Sequence, residues 1–133
     1  MKRVLPLLPA VALFLGHSSC NKEEDEGYRA AGITFRMDSG YTHQDDTVHV
    51  NDTLLIGPMI SEGSEELQVV YVQLRTPGED WLMQDSVAFD QNPMTFDVEA
   101  VMGVAPGTEE WSILARAVTG NTTRRSLTFT VVE

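Results

Sequence analysis

The side chains able to do chemistry are few and widely spaced. Cys20 is the single cysteine, so its thiol has no disulfide partner within the chain. The histidines are His17, His43 and His49. No Gly-x-Ser-x-Gly elbow, His-Glu-x-x-His pair or glycine-rich phosphate loop occurs. The expectation is a non-catalytic chain with no cofactor and no metal. Asp38, Asp45, Asp46 and Asp90 could offer oxygen ligands to calcium at one end of a domain, but the spacing of a calcium loop is missing. Aspartates in loops serve turn geometry without any metal. His43 and His49 as a zinc pair are a weaker idea, and a solvated histidine is the plain reading. What remains is recognition. Trp81, Tyr71 and Tyr41 could contact a ligand by stacking on sugar rings or protein surfaces, and Trp81 and Tyr71 lie across one expected hairpin. The bland alternative for Trp81 is packing at a rim. Trp111 opens a run of inward residues and reads as core.

The surroundings of Cys20 supply an address. Lys2 and Arg3 form a basic head, Val4 to Leu15 is uncharged and apolar, and Gly16-His17-Ser18-Ser19 precedes the cysteine. That order is the general secretory pattern. The apolar run is too short to span a bilayer, which needs ~20 residues, and Pro6 and Pro9 count against a permanent helix. The segment resembles a bacterial lipoprotein signal peptide cleaved before Cys20. His17 stands three positions ahead, where such signals usually carry an aliphatic residue. The tract Asn21-Lys22-Glu23-Glu24-Asp25-Glu26-Gly27 looks like the export tag of Bacteroidota lipoproteins bound for the outer face of the outer membrane. The resemblance implies lipidation of Cys20. It also implies a membrane partner reached only through acyl chains, and two or more chains hold stably where one does not. Residues 1–19 are then the signal peptide, and 20–31 are the acylated cysteine and a flexible acidic tether.

Charge narrows the partners. The whole chain carries 9 basic and 20 acidic side chains, net −11. Removing residues 1–19 takes Lys2 and Arg3 and no acid, which leaves seven basic against twenty acidic side chains, net −13. Nucleic acid is excluded, because its affinity rests on cationic contacts to phosphate. An anionic membrane surface is disfavoured for the same reason. Residues 32–133 make one domain, large enough to bury roughly 60–65% of its unfolded surface.

The pattern along that domain is all-β. Turn signals recur every ten residues or so, with short alternating runs between them. Ile33 to Met37 alternates and is closed by Asp38-Ser39-Gly40. Thr47 to Val50 follows, then the turn pair Asn51-Asp52, then a strand from Thr53 through Gly57 that reaches toward Ile60. Pro58 lacks an N–H and predicts an edge or a bulge. Leu67 to Arg75 is the clearest central strand, with Val70, Val72 and Leu74 on one face and Val69, Tyr71 and Gln73 on the other. Thr76-Pro77-Gly78-Glu79-Asp80 is a hairpin turn, and Trp81 to Val87 returns. Asp90 to Pro93 breaks the chain. Met94, Phe96, Val98 and Ala100 alternate with polar residues, and Met102 to Glu110 reads as a loop. Trp111, Ile113, Ala115 and Ala117 form one inward row, and Leu127, Phe129 and Val131 form another across a turn at Thr119 to Thr122. The count is seven or eight strands, packed as a two-sheet sandwich.

Residues 32–133 also resemble the single immunoglobulin-like domains that follow the acidic tether in many Bacteroidota surface lipoproteins. The residues that carry this are Ile33-Thr34-Phe35, Ser39-Gly40-Tyr41-Thr42, Asp46 to Leu54, and Ser126 to Val131. In that family a glycine is common where Asn51-Asp52 makes the turn here. The resemblance implies a fold and little about activity. The expected function is a surface-anchored binding or adhesion module for an extracellular protein or glycan. The alternative is a non-catalytic structural or accessory subunit of an outer-membrane complex. One triplet recurs, as Asp46-Thr47-Val48, Asp52-Thr53-Leu54 and Asp85-Ser86-Val87. It resembles the O-glycosylation sequon of exported proteins in this bacterial group, and chance gives about half a match at average residue usage. Thr47, Thr53 and Ser86 are therefore candidate glycosylation sites.

Overall fold

The computed structural model describes residues 27–133. The signal segment, Cys20 and most of the acidic tract lie outside them. The described chain is an all-β, immunoglobulin-like sandwich of ten strand segments. In chain order these are β1 (Gly32–Phe35), β2 (Asp46–His49), β3 (Thr53–Ile56), β4 (Pro58–Ser61) and β5 (Leu67–Arg75), then β6 (Leu82–Ala88), β7 (Met94–Thr95), β8 (Val98–Val101), β9 (Gly107–Ala117) and β10 (Thr122–Val132).

One sheet is continuous, with order β2-β10-β9-β5-β6. Its pairs are antiparallel except β2 with β10, which run parallel. The opposing layer is built from β1-β4-β7 and from β3-β8. Only Gly57 separates β3 from β4, and only Phe96-Asp97 separates β7 from β8. Each couple is one strand interrupted once, so eight strands result, in line with the expected seven or eight. The interruption at Gly57-Pro58 is where Pro58 predicted one. Pro58 opens β4 inside the layer, a position where a strand tolerates its missing N–H.

The inward rows meet between the layers. Trp111, Ile113, Ala115 and Ala117 of β9 are buried, as are Leu127, Phe129 and Val131 of β10 and Val70 and Val72 of β5. Ile33, Phe35, Ile56, Ile60 and Ala100 face them from the other layer. Phe129 is fully buried, and truncating such a ring typically costs about 3–5 kcal/mol. Arg125 ties the layers at their margin. Its Nη1 donates to the Ile33 carbonyl at 2.8 Å, and its guanidinium lies 5.5 Å from the Phe35 ring centre.

Three expectations change. β9 starts at Gly107, so Thr108, Glu109 and Glu110 are strand and not loop. The polar run hid this because Glu109 points inward yet is satisfied. Its carboxylate accepts from the Gly103 N–H at 2.7 Å and from the Trp111 indole N–H at 3.3 Å. Ser112, expected to face water, is fully buried under the Arg124 guanidinium, whose Nη1 donates to its hydroxyl at 2.6 Å. Finally, residues 27–31, read as the end of a flexible tether, are docked. The Arg29 N–H donates to Ser64 Oγ at 2.6 Å, the Ser64 N–H returns to the Arg29 carbonyl at 2.8 Å, and Ala31 packs on the core.

That docking defines an entry pole, shared by the 62–66 loop and the β9–β10 turn. Glu65 joins its parts. It accepts from Thr119 Oγ1 at 2.6 Å, Asn121 Nδ2 at 3.0 Å and the Tyr28 hydroxyl at 3.3 Å. The Thr119 bond, then the Asn121 bond, hold its carboxyl below the ordinary glutamate value. β5 leads away from this pole for nine residues, roughly 27 Å at the usual rise. Its far end is the hairpin pole.

Candidate binding face around Trp81

The hairpin that presents Trp81 follows from two residues. Pro77 fixes the first central position, and Gly78 takes φ +80° at the second, which a side chain resists. The Glu79 N–H closes the turn on the Thr76 carbonyl at 3.1 Å. Leu74 then pairs with Leu82 and Gln73 with Met83. Val72 points into the core, so Gln73 and Met83 point out, and Trp81 falls on their outer face by strand alternation.

The neighbouring strands fill that face. Gln73 pairs with Ser112 and Arg75 with Glu110 across β5–β9, and Leu114 pairs with Arg124 across β9–β10. Two guanidiniums converge on the indole. Arg75 lies 4.3 Å and Arg124 4.1 Å from the ring centre. Each is within the range where the ring quadrupole attracts a cation. Arg75 is neutralised by Glu110, Nε to Oε1 at 2.9 Å. Arg124 bonds only neutral acceptors, Gln73 Oε1 at 3.0 Å and Ser112 Oγ at 2.6 Å. Among the described residues no carboxylate lies within ion-pair distance of it. Burial first, then the charge of Arg75, pull Arg124 below its ordinary value, while Glu110 opposes them. The side chain is thus a partly desolvated cation in an acidic protein.

Open grooves surround the same hairpin. One of about 340 Å³ runs between Arg75, the turn, Thr108, Glu110 and Thr128. A second, of about 430 Å³, lies on the other flank against Leu74, Asp80 and Leu82. A third, also about 430 Å³, is floored by Pro77 and the Gly103–Gly107 loop. Val104 on that loop is 81% exposed, an apolar side chain fully offered to solvent.

The expected contact residues separate into two groups. Tyr71 is half-buried on the outer face of β5, opposite Ser86 and Leu114, and so shares the face of Trp81. Tyr41 does not, because it belongs to the opposite layer. Its ring lies over Gly57, where an added Cβ would come within 2.8 Å of Tyr41 Cε1. Its hydroxyl donates to Asp97 Oδ1 at 2.9 Å and accepts from Arg36 Nη1 at 3.1 Å. Arg36 stacks 4.4 Å from the ring centre and pairs with Asp38 at 2.9 Å. Tyr41 is a clamp over the strand interruption, on the layer opposite Trp81.

Thr47, Thr53 and Ser86 are all exposed. Cys20 lies outside the described residues. Asp38, Asp45 and Asp46 are each engaged apart from one another, with Arg36, the Thr128 N–H and the Thr47 N–H. No three ligating side chains converge among the described residues. Sequence reasoning missed Arg75, Arg124, Gln73 and Ser112. Only Arg75 left a trace, since it sits across the hairpin from Trp81. No family model matches this sequence, and a search of curated proteins finds no match either.

Proposed function

We propose that this chain is a lipid-anchored surface protein of the outer membrane, held through Cys20, whose immunoglobulin-like domain binds an extracellular protein or glycan. Binding falls on the face of Trp81, Tyr71 and Arg124, together with the grooves around the Thr76–Asp80 hairpin. One observation carries the reading. On the outer face of the sheet Trp81 carries the Arg124 guanidinium, which has no carboxylate partner among the described residues, and open grooves flank the adjoining Thr76–Asp80 hairpin at the pole opposite the one where residues 27–31 join. An anchor upstream of the entry pole would turn the hairpin pole outward. Arg124 favours a ligand with an anionic group, since a new carboxylate or sulfate there gains a charge-assisted bond. The indole and Tyr71 supply the flat surface that sugar rings or apolar side chains stack on.

The test is a glycan and extracellular-protein array probed with soluble residues 21–133, alongside Trp81→Ala and Arg124→Gln. Signals lost in both variants support the reading. Signals that persist in both, or a blank array, sink it. The second reading, an accessory subunit of an envelope complex, is favoured by Leu82 and Met83, which are 60% and 52% exposed on the edge strand β6. Crosslinking on intact cells from position 83 would capture one stoichiometric envelope partner if that reading holds.

A further inference from the structure

An open sheet has two edges, and each presents a row of N–H groups to which another strand can bond. Here the edges of the five-stranded sheet are β2 and β6. Their outward amides can be identified. The Val50 N–H donates to the Val132 carbonyl at 2.8 Å, so along β2 residues 48 and 50 face β10, while Thr47 and His49 face away. The Phe89 N–H donates to the Gln68 carbonyl at 3.0 Å, so Val87 and Phe89 face β5, while Ser86 and Ala88 face away.

Three of these outward amides are covered by a carboxylate. Thr47 N–H donates to Asp46 Oδ1 at 2.8 Å, His49 N–H to Asp52 Oδ2 at 2.9 Å, and Ser86 N–H to Asp85 Oδ1 at 2.8 Å. Asp46, Asp52 and Asp85 are also the aspartates of the recurring Asp-Thr/Ser-aliphatic triplet. Each one removes a donor that an incoming strand needs and puts negative charge where that strand's carbonyls would come. The guard matters most on β6. That strand is seven residues long, with Leu82 and Met83 exposed beside Asp85, whereas β2 has four residues. Exposed apolar edges of that length are the ones prone to pair.

We propose that Asp46, Asp52 and Asp85 are edge guards that keep the domain monomeric, and that β6 is a latent pairing edge for β6 of a second copy, released when Asp85 is removed. Pairing about a twofold axis brings the two Asp85 carboxylates toward one another, so the guard acts by charge as well as by occupying the amide. The inference is independent of any ligand at Trp81 and of any modification at Thr47, Thr53 or Ser86.

Soluble residues 21–133 contain all ten strands and the whole described core, and serve as the test protein. Sedimentation equilibrium is run on wild type, Asp85→Asn, Asp85→Val, and Asp85→Val with Ala88→Pro. Wild type is expected to be monomeric. Asp85→Val is expected to self-associate at least about tenfold more tightly, since the Ser86 amide of each copy gains a hydrogen bond. Asp85→Asn keeps the acceptor and loses the charge, so it falls between. Proline at 88 deletes an outward donor and no ladder bond, and is expected to restore the monomer. A folded Asp85→Val that stays monomeric overturns the proposal, and so does association that survives Ala88→Pro. Should Asp85→Val fail to fold, amide exchange in wild type decides. Ser86 is expected to exchange at least about tenfold more slowly than Ala88, as a bonded amide does beside an open one. Equal rates overturn the guard.

Discussion

Two arginine–aromatic stacks occupy the outer faces of the two layers, and they differ in how their charges end. Over the interrupted layer, Arg36 lies on Tyr41, and two carboxylates close the group. Asp38 pairs with the guanidinium, and Asp97 accepts from the phenol. On the continuous sheet, Arg75 and Arg124 lie on Trp81, and among the described residues only Arg75 has an acid. The chemistry is alike, but the first stack is complete and sits on a position where a strand breaks. The second leaves one cation, Arg124, with neutral partners among the described residues, and its neighbour Arg75 lines open grooves. A closed stack serves the fold, whereas an open one keeps bonding capacity for something outside it.

The sharpest way to break this contrast is through two glycines, Gly57 under the first stack and Gly78 in the turn before the second. Gly57→Ala drives a methyl group against the Tyr41 ring and against Arg36 Cδ, at 2.8 and 2.9 Å. Overpacking of that kind costs about 1–3 kcal/mol, and a domain of this size loses about 4–8 °C of Tm per kcal/mol. Adding Tyr41→Ala opens the space, so the double variant should lose less than the two single losses combined. Gly78→Ala meets no atom within 4 Å, but must hold φ +80°. Strain of about 1 kcal/mol follows, and Trp81→Ala should leave that loss unchanged. Thermal melts of the six variants, four single and two double, check both statements. Equal relief in the two pairs would mean that the stacks do not differ as described.

How much of this was legible in the sequence depends on range. The hairpin at Thr76–Asp80 and the inward rows of β9 and β10 follow from turn chemistry and period-two alternation, both of which act within a few residues. The start of β9 was not legible, because Glu109 is a buried acid whose partners, Gly103 N–H and the Trp111 indole, are set by a loop closing back on the strand. The start of β10 was concealed because Thr122 to Arg125 are polar residues at paired positions. Trp81 was legible as a candidate, but Arg124 was not. Its reach to the indole requires β5, β9 and β10 in register, the two residues being 43 positions apart in the chain. For Tyr41 the sequence shows an aromatic in a loop and no more. Its role depends on Gly57 and Asp97, which the fold brings from two other strands.

Alkaline pH tests the closed stack by its proton. The Asp97 bond, more than burial, raises the Tyr41 phenol above its ordinary value of 10.0, and Arg36 opposes this. A folded value above the unfolded one means that the protonated phenol stabilises the fold. Its contribution is complete below pH 10 and is lost as pH rises through the raised value. Tyr28 is also raised, by burial and then by Glu65, so wild type must be compared with Tyr41→Phe. Between pH 9 and pH 11 the urea midpoint of wild type should fall further than that of Tyr41→Phe. Parallel curves would mean that the Asp97 bond contributes nothing.

The smallest effect on stability should be the most telling. Arg124→Gln removes a cation from the Trp81 ring, worth about 0.5–1 kcal/mol at a site this exposed, and the amide can still bond Ser112. Urea unfolding should therefore show a loss of at most about 1 kcal/mol. Arg36→Gln strands Asp38, whose carboxyl is held below its ordinary value chiefly by the Arg36 bond, and it loosens the Tyr41 clamp. Its midpoint should drop further than that of Arg124→Gln. If Arg124→Gln is the more damaging of the two, the guanidinium on Trp81 is a structural strut like its counterpart, and the open stack has no capacity to spare for a ligand.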